Sequence, residues 1–223
     1  MKKRFLIITN YNKKFFKKIF KKFRKQCKYE IYDLRDKNEK KLFLNSSKKF
    51  DYLISFANSY IFNKRFLSKF NFYRRINFHP ATPNYPGRDS HHFACFNKEK
   101  IFGGTMHIMN NKIDSGPILD IKKIKMKSKK KHHEHFQKIG YLAIENLLKK
   151  NLKNIIDDKL QIRNNIKWGG KIYTRNKFLS RLKVNKNTSK TKLCNLINSF
   201  YTKDRDSLYI ELHKKFFFLK MYD

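Results

Sequence analysis

The sequence predicts an α/β fold, a mostly parallel sheet with helices on both faces, followed by a small α+β extension. Three observations carry this. Short runs at residues 5–8, wholly apolar, and 52–56, apolar except for Ser55, have the length of strands buried on both faces. Strand and helix signals then alternate along the chain, the mark of parallel strands joined by crossover helices. A long amphipathic stretch at residues 134–156 has the apolar stripe of a helix lying on a sheet. The chain of 223 residues is long enough for one such domain and a small appendage. We place the boundary between residues 1–160 and 161–223.

In chain order, residues 5–8 (Phe-Leu-Ile-Ile) form the first strand. A basic helix follows, with Phe15, Phe16, Ile19, Phe20 and Phe23 on one face and lysines opposite. Strand signals on both sides of it favour a crossover helix over a membrane-surface helix. Residues 29–34 and 52–56 are the next strands, separated by a polar stretch rich in Lys, Asn and Asp. Residues 66–70 read as helix and 75–78 as strand. Three prolines and a glycine in residues 80–87 require an ordered loop. Asp89 and Ser90 cap a helix running to Phe96. Residues 105–109 and 118–124 are strands, with a turn at Asn110-Asn111-Lys112. In the long helix, Ile139, Leu142, Ile144, Leu148, Leu152 and Ile155 make the stripe. After Trp168-Gly169-Gly170 the pattern weakens to helical signals at 178–182 and 193–200 and strand signals at 208–212 and 216–219.

The apolar fraction of 40% and aromatic fraction of 16% exclude a disordered chain. The formal charge is +37, from 54 Lys+Arg against 17 Asp+Glu. Such a field attracts polyanions, anionic membranes and phosphorylated substrates without choosing among them. Because lysines are spread over helices, strands and loops alike, we read the charge as compositional bias, and nucleic acid stays open as a partner. The three cysteines, Cys27, Cys95 and Cys194, are odd in number, widely spaced and without a CxxC pattern. This argues for a reducing, cytoplasmic compartment. The apolar run near the N-terminus is too short for a signal peptide. No run approaches the roughly 20 apolar residues that span a bilayer.

The chemistry concentrates between residues 76 and 116. A buried strand delivers Asn77 and His79 at its end, two residues apart and therefore on one face. Ends of strands in open α/β sheets are where ligands bind. Thr105 and His107 share a face on a later strand, and Asp114-Ser115-Gly116 closes a turn. A carboxamide, an imidazole and a carboxylate can converge there without a Ser, Cys or metal nucleophile. Taken singly, each of these residues is as well explained as a turn former or a satisfied core histidine; His107 in particular is as suited to supporting Asp114 or the loop as to touching substrate. The run Lys130-Lys131-His132-His133-Glu134-His135 lacks the HExxH spacing of a helical zinc site, so it reads as a solvated helix start and no metal is expected. His91 and His92 begin the helix after the Pro-rich loop, with one of them lining the substrate entrance or both simply exposed.

Asn77-Phe78-His79-Pro80, then Pro83, Pro86-Gly87, Gly103-Gly104-Thr105-Met106-His107 and Asp114-Ser115-Gly116 together resemble, in order, the signature of the folate-dependent formyltransferases. The resemblance covers residues 4 to about 156. It implies a formyltransferase-like, Rossmann-type core as the catalytic domain, with 10-formyltetrahydrofolate as formyl donor and a primary amine as acceptor. It implies that Asn77 and protonated His79 stabilise the oxyanion formed when the amine attacks the formyl carbon. Asp114 would favour the imidazolium and relay the amine's proton. By analogy the folate site comprises residues 55–61 and 111–116, with Phe56, Ala57, Asn58, Tyr60, Ile61, Ile113 and Gly116 as contacts.

Within that family, Thr9-Asn10-Tyr11-Asn12-Lys13 after the first strand lacks the glycine of the phosphate loop in glycinamide ribonucleotide formyltransferases. Some fifty residues after Trp168 are short for the C-terminal domain of methionyl-tRNA formyltransferases. The formyltetrahydrofolate hydrolases carry an N-terminal regulatory domain, whereas here the first strand opens the sequence. The organisation is most similar to the sugar-nucleotide N-formyltransferases, which implies a nucleotide-linked amino-deoxysugar as acceptor, with a homodimer left open. The competing reading is a basic nucleic-acid-binding protein on a retired enzyme fold; intact Asn77, His79 and Asp114 argue against it.

Overall fold

The computed structural model describes residues 1–126, 132–169, 171–202 and 208–220, so Lys130, Lys131 and Gly170 of the segments singled out above lie outside the described residues. Its chain order is β1 (Lys3–Thr9), α1 (Lys13–Phe20), β2 (Cys27–Tyr32), α2 (Lys37–Leu44), β3 (Tyr52–Phe56), α3 (Lys64–Leu67), β4 (Arg75–His79), α4 (Ser90–Phe96), β5 (Ile101–Ile108), β6 (Ile118–Lys125) and α5 (His133–Ile156). The remainder holds α6 (Arg175–Leu179), α7 (Lys190–Phe200) and a hairpin of β7 (Tyr209–Leu212) and β8 (Lys215–Phe218). The six strands run in the order β2-β1-β3-β4-β5-β6. The first four are parallel; β5 and β6 are antiparallel to their neighbours. The sheet is therefore mostly parallel, as the alternating pattern requires.

Alternation along each strand sorts the side chains into two faces. Phe5, Ile7, Tyr52, Ile54, Phe56, Ile76 and Phe78 point to one face. There they pack against Phe16 and Phe20 of α1 and Ile144, Leu148, Leu152 and Ile155 of α5. Each fully buried ring or branched chain contributes about 1.5–3 kcal/mol. α1 is thus the crossover helix its neighbours implied, capped by Asn12, whose side chain accepts from the Lys14 N–H at 2.9 Å. Leu6, Ile8 and Leu53 point to the opposite face, where they meet Phe43 of α2 and Leu67 of α3.

α2 was hidden in the polar stretch because only Phe43 of its eight residues is buried, so no apolar stripe is visible. Its start is nevertheless written in the sequence. Asp36 accepts from the N–H groups of Asn38 and Glu39, and Glu39 reaches back to the Asp33 N–H at 2.6 Å. Asp89, by contrast, precedes α4 without capping it. It sits in the left-handed region at φ 59 and makes no side-chain cap. Ser90 bonds back to the Tyr85 and Gly87 carbonyls instead, at 2.9 and 3.2 Å.

Residues 161–220 are joined to the core through a second apolar cluster. Phe178, Leu182, Leu196, Phe200 and Leu208 pack with Phe93 and Ala94 of α4, Phe102 of β5 and Phe136 of α5. Among the described residues no helix is long and apolar enough to cross a membrane. Cys27, Cys95 and Cys194 are all free thiols.

Candidate active site

Beyond β3, the face covered by α2 and α3 carries polar side chains. Asn77 and His79 occupy alternate positions on β4, and His107 stands directly opposite Asn77 on β5. A pair of that kind brings two side chains within contact distance. The connection from β5 to β6 folds back over them and sets Asp114 among all three. Asp114 Oδ2 lies 3.3 Å from His79 Nδ1, and Oδ1 lies 3.2 Å from His107 Nε2 and 3.3 Å from Asn77 Nδ2. Asn77 Nδ2 is also 3.0 Å from His107 Nε2. The residues singled out in the sequence as reacting groups are therefore brought together.

Each group has its other partners defined. His79 Nε2 lies 2.8 Å from the Tyr85 carbonyl. Both ring nitrogens of His79 thus face acceptors, an arrangement that an imidazolium satisfies at both ends. His107 Nδ1 lies 2.9 Å from the Ile108 carbonyl. His107 is 2% exposed and touches Asp114 and Asn77, which makes it a positioning residue for them. Asp114 takes a left-handed backbone, φ 39, which Asp tolerates better than most residues. Burial by itself would raise its carboxyl. The charges and hydrogen bonds of His79 and His107 and the Gly87 N–H outweigh that effect and hold it well below the usual carboxylate range.

Two further residues complete the site. The Gly87 N–H donates to Asp114 Oδ2 at 2.7 Å. Gly87 is at φ +98, and a Cβ there would stand 2.1 Å from the Tyr173 carbonyl oxygen. That contact belongs to a bridge in which the Tyr173 N–H donates to Pro86 O and the Arg88 N–H to Tyr173 O. The C-terminal segment thus holds the loop that orients Asp114. Trp168 adds a wall: its indole N–H donates to Gly116 O at 2.8 Å, and its ring lies edge-to-face on His107 at 4.9 Å. Sequence reasoning used Trp168 only as a boundary. Being the single tryptophan, with an N–H that needs an acceptor when buried, was the available signal.

Gly87→Ala combines a strained φ with a backbone overlap. We expect it to cost about 1–3 kcal/mol of stability, read as a lower Tm. It should also free Asp114 from one of its donors. An unchanged Tm would show that the Tyr173 bridge gives way without cost.

The residues assigned to a folate site by analogy fall in different settings. The Phe56 ring is fully buried between Tyr11, Phe15, Phe16 and Phe78, and its carbonyl accepts from Thr9 Oγ1. The ring at this position is therefore sealed from any ligand. Ala57 turns the chain at φ 46, and Asn58 braces the turn, accepting from the Tyr60 N–H at 3.0 Å. Tyr60, Ile61 and Ile113 are exposed apolar side chains, at 36%, 69% and 41%. The two loops that carry them also supply Phe62 and Met109 to one apolar cluster, so they border the same face as the polar site.

Histidines outside the site depart from expectation. His92 is not exposed; it is buried against His133. His133 is likewise buried, so the start of α5 is not a solvated face throughout.

A sequence search against curated proteins finds no match. Solved structures do match in fold. A sugar N-formyltransferase from a Shewanella species aligns over 98% of this chain and 97% of its own, with TM-score 0.80 at 19% identity. A 4-N formyltransferase from Francisella tularensis aligns over 98% and 97%, with TM-score 0.76 at 16% identity. An N-formyltransferase from Helicobacter canadensis, solved with folinic acid and dTDP-3-aminofucose, aligns over 96% and 85%, with TM-score 0.70 at 21% identity. The family model described as formyl transferase matches residues 7–148, more than half of the chain and the segment that holds Asn77, His79, His107 and Asp114. The chain therefore belongs to the formyl transferase family.

Proposed function

We propose that this protein transfers a formyl group from 10-formyltetrahydrofolate to the amino group of a nucleotide-linked amino-deoxysugar. The observation that carries the reading is the meeting of Asn77, His79 and Asp114 within 3.3 Å contacts inside the segment matched by the family. The acceptor class is supported by the sugar N-formyltransferases that align over almost all of both chains.

Asn77 and His79 act on the oxygen of the formyl group. As the amine nitrogen bonds to the formyl carbon, that oxygen gains negative charge, and donors held in place beforehand stabilise it without reorganising. The Asn77 amide nitrogen lies 3.0 Å from His107 Nε2 and donates to Asp114 over a longer 3.3 Å. The oxyanion takes over that weaker bond. Asp114 accepts the proton that the amine must lose and passes it towards the folate nitrogen that leaves as the carbon–nitrogen bond breaks. The Gly87 N–H keeps the carboxylate aimed during this exchange. The exposed side chains of Tyr60, Ile61 and Ile113 suit a flat, largely apolar ring system edged by the polar backbone of the same loops.

The test incubates the full chain with 10-formyltetrahydrofolate and a panel of nucleotide-linked amino sugars. Mass spectrometry should find one added formyl group on at least one sugar nucleotide, and none on the same sugars without an amino group. Release of formate with no formylated sugar would overturn the acceptor assignment.

A further inference from the structure

Away from the active site, three histidines meet where α4, α5 and the end of α7 pack together. His91 and His92 open α4; His133 opens α5, far along the chain. Their ring centroids are 4.1 Å apart for His91–His92, 4.3 Å for His92–His133 and 5.9 Å for His91–His133. One ring nitrogen from each lies within 4.8 Å of the others. His92 and His133 are buried and His91 is partly exposed, which leaves a path from solvent.

The hydrogen bonds around the cluster fix which nitrogens carry lone pairs. His92 Nδ1 lies 2.5 Å from the Ser199 carbonyl, and His133 Nε2 lies 3.0 Å from the Tyr201 carbonyl. A carbonyl only accepts, so each of these nitrogens is the one bearing hydrogen. In the neutral ring the lone pair of His133 then sits on Nδ1. His133 Nδ1 is buried and has no hydrogen-bond partner among the described residues. Burial, with the neighbouring imidazoles of His92 and His133, pushes His91 well below the usual histidine range. Burial, with His92 and His132, takes His133 down to about 4.

An imidazole that donates one ring N–H to a backbone carbonyl and offers its other nitrogen is the form in which a transition metal takes histidine. Three nitrogen donors suit Zn²⁺ and its neighbours in the first row; they do not suit Ca²⁺ or Mg²⁺, which take oxygen. Zinc–nitrogen bonds of about 2.0–2.1 Å bring tetrahedral ligand atoms to roughly 3.4 Å. The present separation of up to 4.8 Å must therefore close by about an ångström when the ion binds.

We propose that His91, His92 and His133 form a zinc site that joins α4 to α5 and, through the Ser199 and Tyr201 carbonyls, fastens the C-terminal segment to the core. Its role is structural: the cluster contains none of Asn77, His79, His107 or Asp114. Three ligands leave one position for water on the side of the partly exposed His91.

The experiment uses the untagged full chain, freed of metal with a chelator, and titrates ZnCl2 while following Tm and heat of binding. One zinc per chain should bind, and Tm should rise by about 5–10 °C at a hundredfold excess over Kd. His91→Gln keeps the size and polarity of a partly exposed side chain while removing a ligand. It should weaken zinc binding at least tenfold and abolish most of the rise in Tm. His79→Ala, which removes an imidazole of the active site, should leave the binding event in place. A rise in Tm that is the same in His91→Gln as in the wild type would overturn the proposal, as would a wild type whose Tm does not respond to zinc.

Discussion

Asp114→Asn should lower kcat for formyl transfer by about 10²–10⁴-fold while leaving folate affinity within a few-fold of the wild type. The side chain hardly changes shape, but two things are lost. The charge that faces His79 and His107 disappears, and no carboxylate remains to carry the proton. One carboxylate oxygen also becomes an NH2 group. Whichever way the amide turns, that donor faces another donor, either the Gly87 N–H at 2.7 Å or the Asn77 amide at 3.3 Å. The pH dependence of stability should change as well. A carboxyl held below its unfolded value contributes stability that is fully present above the unfolded pKa of about 4, and that contribution is lost as pH falls towards the folded value. Asp114→Asn should therefore remove part of the acid-side slope of Tm below about pH 4. Turnover, folate binding and Tm across pH, measured on the same variant, check this. Near-normal kcat would remove Asp114 from the chemistry.

The second large effect is expected at Asn77 and His79. Asn77→Ala should cost about 3–4 kcal/mol of transition-state stabilisation, or two to three orders of magnitude in kcat, with little change in folate binding. His79→Ala should behave similarly. The two donors serve one developing charge and share Asp114, so the double variant should cost much less than the sum of the singles. A double-variant cycle on kcat reads the coupling directly. Strict additivity would mean that the two side chains do not serve one oxygen.

The elements legible in the sequence were those whose pattern is local. Residues 5–8 and 52–56 read as strands because a strand buried on both faces is apolar at nearly every position, and β1 from Phe5 to Thr9 and the whole of β3 are buried in this way. α5 was visible because Ile144, Leu148, Leu152 and Ile155 recur at helical spacing and are buried, although Leu142, counted in the same stripe, is exposed. α2 was not, because it covers the sheet with Phe43 alone and its cap is a weaker signal than a stripe. The ordered motif from Asn77 to Gly116 located the polar site, because alternate strand positions must share a face.

What the sequence determined by itself was the layered α/β architecture, the family and the identity of the three polar residues at the centre. Each follows from local periodicity or from residue types in a fixed order. Tertiary structure alone decided the rest. The Gly87 N–H that aims Asp114, the Trp168 wall and the cluster of His91, His92 and His133 join residues tens of positions apart. No periodicity encodes such meetings, since they depend on strand order and on where the C-terminal segment docks. The same holds for His107 and Phe56. One sits where a β5 residue faces Asn77, and the other on the opposite face of the sheet, sealed beneath α1. Strand pairing and helix placement fix which side of a strand meets solvent, a helix or a catalytic partner, and only the folded chain supplies them.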